Sequence, residues 1–415
     1  MRVLIFTASA GNGHNSTANR IKEKFLKEQP DSQIEIVDAY KNYAPKIKAW
    51  AIEGGYFLLC NKWVSLYNVF FKQQEKVKYT DRDKLDANRQ TFDLLNGMVK
   101  KIFDFKPDLI ICTYIFTAIA LTNIKRVYNI PAKVACMTLD YGVSPFWECT
   151  CKGLDYMFLT DDYMIQPFLD RGFNMNQLYV TGIPISYEFY KDRDKLQSRK
   201  LLGLDENLFT VLIMKASFFP ISEQSIVKSL KKINQKLQVV IVNGKDHKSQ
   251  SKLTKLIKKY ELDKQHKIVN LGYTNQIPEY FSACDLIVGK AGGLTTTETI
   301  ASGLPSLIVN KLPQQEIYNK QHLIDAGCAL PVTSKTLAST ITSVISNKPM
   351  YQQMVYNTLK IRKLNVIDKF YDILKDVPTA IYSNTQFTDT KHETIRKVNK
   401  QRLKEVRMQF KRKKA

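Results

Sequence analysis

The apolar positions of this chain fall into short runs separated by longer stretches of mixed polarity. Residues 2–7 (RVLIFT), 34–37 (IEIV), 108–112 (DLIIC) and 133–137 (KVACM) are such runs, while residues 15–29 repeat apolar side chains at helical spacing. Buried strands alternating with amphipathic helices predict a mostly parallel sheet covered by helices. Pro131 and Gly182-Ile183-Pro184 punctuate the element ends. After residue 206 the alternation restarts. Runs at 209–214 (FTVLIM), 238–242 (QVVIV), 267–271, 285–288 and 306–309 predict strands, with helices at 221–234, 249–261, 292–302 and 316–326 and a long closing helical region over 350–376. Residues 191–206 (KDRDKLQSRKLLGLDE) are charged and poor in strand formers. The expected architecture is therefore α/β, with two doubly wound, Rossmann-like units over 1–190 and 207–376, a linker over 191–206 and a tail over 377–415. Ligands of such sheets sit outside the carboxyl ends of the strands, here in the cleft between the units.

Length agrees with two units, because 415 residues exceed what one core usually serves. A hydrophobic content of 44% excludes a mainly disordered chain. The longest uncharged stretch, 109–124 (LIICTYIFTAIALTNI), is too short and too polar to span a bilayer. The cysteines are scattered without a Cys-x-x-Cys pair, so neither a disulfide framework nor a zinc site is expected. With no signal-peptide pattern at the start, this reads as a reducing cytosolic compartment.

Charge changes the picture more. A formal net charge of +23 favours an anionic partner. Residues 391–415 carry eleven Lys or Arg against two Glu, and Ile395, Val398, Leu403, Val406 and Phe410 fall roughly on one helical stripe. That pattern fits a basic amphipathic helix on anionic lipid or a solvated tail. Aromatic residues do not interleave with the basic ones, so nucleic acid is not expected.

Two loops carry candidate chemistry. After the first strand comes Ala10-Gly11-Asn12-Gly13-His14-Asn15-Ser16. Gly11 and Gly13 permit close approach of a ligand to the backbone, and His14 is either a general base facing the cleft or a helix cap. In the second half, a predicted strand runs through Gly289-Lys290 into Ala291-Gly292-Gly293-Leu294-Thr295, and a helix is expected to begin at Thr295. Free amides at a glycine-rich helix start suit a diphosphate. Glu298 is placed either to accept from ribose hydroxyls or to pair with Thr295 in a capping box. Gln315, Glu316 and Asn319 present amide and carboxylate groups near a later helix start, suited to sugar hydroxyls. Residues 49–71 (AWAIEGGYFLLCNKWVSLYNVFF) are aromatic-rich and flanked by Lys. They read as a membrane-dipping segment with Trp50, Trp63 and Tyr67 at the interface, or as a buried helix pair.

The order of motifs resembles glycosyltransferases of the monogalactosyldiacylglycerol synthase and processive diacylglycerol glucosyltransferase type, GT-B-fold relatives of the transferase that makes lipid II. The resemblance covers about residues 1–375 and rests on AGNGHNSTA (10–18), LDYGVSPFW (139–147), VTGIPI (180–185), GKAGGLTTTETIASGLP (289–305) and QQEIYN (314–319). It implies a UDP-hexose donor in the C-terminal unit and a diacylglycerol or glycosyl-diacylglycerol acceptor in the N-terminal one. It also implies metal-independent inversion with no cofactor, and peripheral attachment to the cytoplasmic face of the cell membrane. By the same resemblance His14 is the base near the acceptor and Asp140 the carboxylate that orients it. Ala291, Gly292, Gly293, Leu294 and Thr295 form the diphosphate turn, Glu298 binds ribose, and Gln315, Glu316 and Asn319 read the sugar. The chain departs from its relatives in three places: Leu139 replaces Thr, Ser144 replaces His, and Lys215-Ala216-Ser217-Phe218-Phe219-Pro220 replaces a glycine-rich donor loop, where Lys215 would supply charge instead. Two other functions fit parts of the pattern: a UDP-sugar epimerase on the same fold, and a basic lipid- or nucleic-acid-binding protein that has lost catalysis.

Overall fold

The computed structural model describes residues 1–9, 12–43, 63–76, 97–215 and 219–383. Gly11, Trp50, most of the 49–71 segment and the 391–415 tail lie outside the described residues. Each half of the chain builds one six-stranded, fully parallel sheet. The first has the order β2-β1-β3-β4-β5-β6, with β1 Arg2–Thr7, β2 Gln33–Asp38, β3 Leu109–Cys112, β4 Lys133–Met137, β5 Tyr156–Leu159 and β6 Leu178–Val180. The second has the order β12-β11-β10-β7-β8-β9, with β7 Thr210–Met214, β8 Gln238–Val242, β9 Lys267–Leu271, β10 Leu286–Gly289, β11 Ser306–Val309 and β12 Ala329–Val332. Strands buried on both faces explain the uninterrupted apolar runs: Val3, Leu4, Ile5 and Phe6 are all fully buried, as are Val239, Val240 and Ile241.

Three strands lie where the hydrophobic pattern gives no clear signal. β5, β6 and β12 are four, three and four residues long. β12 also contains Pro331, which is tolerated because β12 pairs only with β11 at the sheet edge.

The closing region 350–376 is not one helix. Helix Lys348–Lys360 ends at Ile361, and a second helix, Val366–Leu374, begins after Asn365 in a left-handed conformation. The second helix crosses back to the first sheet. Phe370 packs on Phe158 with ring centroids 4.3 Å apart, Tyr371 meets Phe25 at 5.1 Å, and Asp368 pairs with Lys24 at 2.6 Å. The chain then continues along the N-terminal unit, where the Ala380 amide donates to Asp108 and the Tyr382 hydroxyl to the Pro107 carbonyl. The N-terminal unit thus gains the helix 366–374, which the expected range 207–376 assigns to the other half.

Strand order fixes where ligands bind. Each sheet reverses its winding once, between β1 and β3 in the first and between β7 and β10 in the second. A crevice opens outside the carboxyl ends of the strands at such a switch point. Those ends carry Thr7 and Thr113 in one sheet and Lys215 and Lys290 in the other, so both sequence-singled loops fall at switch points.

Candidate active site

His14 sits in the first turn of helix Asn12–Glu28, which begins earlier than its apolar spacing predicts. Its Nδ1 lies 2.5 Å from the Thr113 carbonyl at the end of β3, and its ring meets Tyr114 edge-on at 4.9 Å. A carbonyl can only accept, so Nδ1 carries the proton and Nε2 keeps its lone pair. Burial pushes the imidazole pKa down, against the opposing Thr113 contact, which favours the neutral, proton-accepting form.

Across the cleft, helix Gly293–Ala301 has Gly292 as its N-cap, with no side-chain cap. The helix therefore starts two residues before Thr295, and Glu298 stands in its second turn rather than in a capping box. Thr296 is the first residue whose amide is taken by the helix, donating to the Gly292 carbonyl at 2.8 Å. The amides of Gly293, Leu294 and Thr295 are the ones available to an anion.

The two loops meet. A Cβ on Gly13 would come within 3.2 Å of Leu294, and one on Gly293 would fall 1.7 Å from the Leu139 carbonyl and 3.0 Å from Asp140 Oδ1. The glycine turn and the His14 loop therefore share one crevice. Gly142 lies against the Tyr318 ring, where a Cβ would approach to 2.2 Å. A narrow crevice between the units is lined by Tyr141 and Tyr190 from one side and Thr297 and Ala301 from the other.

Asp140 does not orient His14. Thr113 holds the imidazole, whereas Asp140 Oδ1 accepts from Asn319 Nδ2 at 2.8 Å. Burial lifts the Asp140 pKa to about 6; nearby Glu316 adds to the rise, and the Asn319 hydrogen bond and Lys290 oppose it. The Glu298 carboxylate has no hydrogen bond or ion pair from any described residue, and burial lifts its pKa to about 7 with only Arg20 opposing. A desolvated carboxylate without a protein donor suits a pair of ribose hydroxyls.

Helix Gln314–Asp325 supplies the remaining polar groups. Lys290 Nζ pairs with Glu316 Oε1 at 2.6 Å. Glu316 Oε2, Gln315 Oε1 and Gln314 Oε1 are buried without a hydrogen-bond partner, as is Thr296 Oγ1. Such orphaned acceptors, three of them at one helix start, are groups that a polyhydroxylated ligand can satisfy.

Two further expected site residues behave otherwise. The Lys215 ammonium is taken up by a buried pair with Glu223 at 2.5 Å and a hydrogen bond to Ser249. Tyr67 is not at an outer interface. It lies in helix Val64–Lys76, is only 9% exposed, and accepts a hydrogen bond from Gln315 Nε2. Tyr67 and Phe71 pack with Tyr318 of the C-terminal unit, and Asn68 Nδ2 donates to the Leu312 carbonyl at 3.0 Å. The opposite face of this helix shows Trp63, Leu66 and Val69, exposed by 55%, 60% and 56%. Ser144, in the place of a His, caps the short turn Pro145–Cys149.

Residues that sequence reasoning missed include Thr113, Tyr141 and His322. The Tyr141 hydroxyl lies 3.2 Å from Thr297 Oγ1 across the cleft, and its ring stacks on His322 at 4.3 Å. Tyr141 lies within the quoted LDYGVSPFW motif, which is the only hint the sequence holds.

Comparison with known proteins agrees with this geometry. Residues 14–185 match the family described as monogalactosyldiacylglycerol (MGDG) synthase, and residues 222–361 match glycosyl transferases group 1. The chain is 26% identical over 394 residues to a processive diacylglycerol beta-glucosyltransferase of Staphylococcus haemolyticus, covering 93% of this chain and 94% of that protein. Among solved structures it is similar to MurG of Acinetobacter baumannii (TM-score 0.58, 15% identity, 90% of this chain and 99% of that one). It is also similar to a UDP-GlcNAc 2-epimerase of Neisseria meningitidis bound to UDP-GlcNAc (TM-score 0.56, 14% identity, 91% and 100%). Two parallel sheets facing a cleft, with a helix crossing back to the first, are the GT-B fold. Within that fold the chain is similar along nearly all of its length to processive diacylglycerol beta-glucosyltransferases, and its N-terminal half matches the monogalactosyldiacylglycerol synthase model.

Proposed function

We propose that this protein transfers a hexose, glucose first among them, from a UDP-sugar to diacylglycerol or its glycoside, with inversion at the anomeric carbon and without an obligatory metal. The observation that carries the proposal is the meeting of the glycine turn with the His14 loop, through Gly13 on Leu294, and with the loop after β4, through Gly293 on Leu139. His14 Nε2 takes the proton from the acceptor hydroxyl, and that oxygen attacks the anomeric carbon from the face opposite the diphosphate. The carbon–oxygen bond to the β-phosphate breaks and UDP leaves with the electron pair. General-base assistance of this kind is worth typically 10²–10⁴-fold. The developing charge on UDP falls on the amides of Gly293, Leu294 and Thr295, fixed dipoles that need no reorganisation. Glu298 holds the ribose, while Gln315 and Glu316 read the sugar.

The acceptor arrives from a membrane. No helix among the described residues is long and apolar enough to cross one. Instead, Trp63, Leu66 and Val69 form an outward apolar ridge on a helix whose other face grips the C-terminal unit. A ridge of this kind inserts shallowly among headgroups and brings lipid to the mouth of the cleft. A net charge of +23 favours an anionic surface, and peripheral attachment on the cytoplasmic side follows from this reading.

The test is thin-layer analysis of lipid products from UDP-glucose, UDP-galactose and vesicles containing diacylglycerol, with and without chelator. The expected result is a vesicle-dependent glycolipid, insensitive to chelator and lost in His14→Ala while UDP affinity persists. A changed UDP-sugar with no lipid product points to epimerisation and sinks the proposal.

A further inference from the structure

Helix Gln314–Asp325 meets the N-terminal unit along one face: Gln315 bonds Tyr67, Tyr318 packs on Gly142, and His322 stacks on Tyr141. In the middle of that face stands Asn319, which has no exposed surface. Its Oδ1 accepts from the Tyr141 amide at 2.6 Å, and its Nδ2 donates to Asp140 Oδ1 at 2.8 Å and to the Ala291 carbonyl at 2.9 Å.

The placement of these partners decides what Asn319 can do. Asp140 and Tyr141 follow β4 in the N-terminal unit, whereas Ala291 leads into the glycine turn of the C-terminal unit. One amide therefore ties the acceptor side of the cleft to the diphosphate turn. An amide has two N–H donors and one carbonyl oxygen. Both donors are committed, and the oxygen already accepts the Tyr141 amide. Nothing remains on Nδ2 for a sugar hydroxyl, in contrast to Gln314, Gln315 and Glu316, each of which keeps a buried acceptor without a partner.

We propose that Asn319 is the latch of domain closure and a positioning residue for Asp140, and that it does not read the donor sugar. The latch sets Asp140 against Gly293, and with it the register of the acceptor loop over the diphosphate turn. Asp140 is also faced by Glu316 and Lys290, which act on its charge but not on its position.

The proposal rests on the transferase reading only for its kinetic arm. The experiment compares full-length wild type with Asn319→Ala and Asp140→Asn by small-angle scattering under saturating UDP, by calorimetry with UDP, and by steady-state transfer from UDP-glucose and UDP-galactose to diacylglycerol vesicles. Asn319→Ala is expected to show a larger radius of gyration and a kcat about 100-fold lower, the effect of misplacing reacting groups by about 1 Å. The KM for UDP-glucose and the preference between the two donors stay within threefold. Asp140→Asn keeps an accepting oxygen and stays compact, whatever happens to its turnover. Should Asn319→Ala fail to fold, Asn319→Ser carries the same comparison.

An Asn319→Ala protein as compact as wild type, with donor preference altered tenfold or more, makes Asn319 a sugar reader and overturns the proposal. An expanded Asn319→Ala in a protein that makes no glycolipid upholds the latch and removes the transferase reading instead.

Discussion

Replacing Gly293 with Ala isolates the role of domain closure from every other property of the turn. Gly293 is the first residue of its helix and is not among the residues with positive φ, so the backbone accepts an L side chain there. In the C-terminal unit alone the change is mild, since Ala favours a helix over Gly by about 1 kcal/mol. The cost lies entirely across the cleft. The new Cβ would stand 1.7 Å from the Leu139 carbonyl oxygen, and relief to 3.0 Å demands a retreat of about 1.3 Å by the loop carrying Leu139 and Asp140. That loop is backbone, so no rotamer change relieves the clash. A misplacement of about 1 Å between reacting groups costs about 10²-fold in rate. Gly293→Ala is therefore expected to lower kcat for glycolipid formation about 100-fold, while UDP affinity by calorimetry stays within threefold and the melting temperature is unchanged or higher. A folded Gly293→Ala protein with kcat within threefold of wild type would refute the idea that this contact is part of the working geometry.

Other perturbations test separate parts of the site. Glu298→Gln removes a carboxyl whose native pKa, about 7, lies above its ordinary value of 4.5. The unfolded chain then binds fewer protons than the native one between those values, so wild-type stability falls as pH rises from 4.5 to 7, by roughly 3 kcal/mol in all. The variant should match wild type in denaturant melts at pH 4 and exceed it at pH 8, while binding UDP more weakly; equal stability at both pH values would contradict the burial argument. Tyr67→Phe deletes the hydroxyl that accepts from Gln315 and should raise the KM for UDP-glucose about fivefold, the equivalent of one net hydrogen bond of about 1 kcal/mol. Lys215→Met should cost about 3 kcal/mol of stability by leaving Glu223 with the exposed Lys252 as its one cationic partner beside the Ser249 hydroxyl, yet leave UDP affinity within twofold; a tenfold loss of affinity would restore Lys215 to the donor site.

Much of this was legible in the chain. The apolar runs located nine strands, most clearly the central ones, because a strand buried on both faces must be apolar throughout. β5, β6 and β12 escaped since three or four residues, one of them Pro331, carry too little pattern. The crossing of helix Val366–Leu374 to the first sheet was illegible for another reason: an amphipathic helix declares an apolar face but not which sheet will cover it. The same ambiguity applies to Val64–Lys76, where apolar residues stand on both faces and only the fold shows that Val64, Tyr67 and Phe71 turn inward while Trp63, Leu66 and Val69 turn out. His14 and the glycine turn were marked by their residue types. The partners of Asp140 and Lys215 were not, because Asn319 lies 179 residues from the one, and Ser249 lies 34 from the other and shares it with Glu223.

The arrangement divides labour in a way neither half could manage alone. The N-terminal unit holds an imidazole whose tautomer is set internally, by Thr113. The C-terminal unit holds free helix amides and orphaned acceptors. Four of the contacts that join them line the cleft: Gly13 on Leu294, Gly293 on Leu139, Asn319 on Asp140 and Tyr141, and Tyr67 on Gln315. Two of those contacts depend on glycine and two on buried hydrogen bonds. The seam they form therefore tolerates almost no change of shape, while each unit keeps its own core. Turnover should consequently be far more sensitive than folding to substitutions along the seam, and far less sensitive to substitutions behind it.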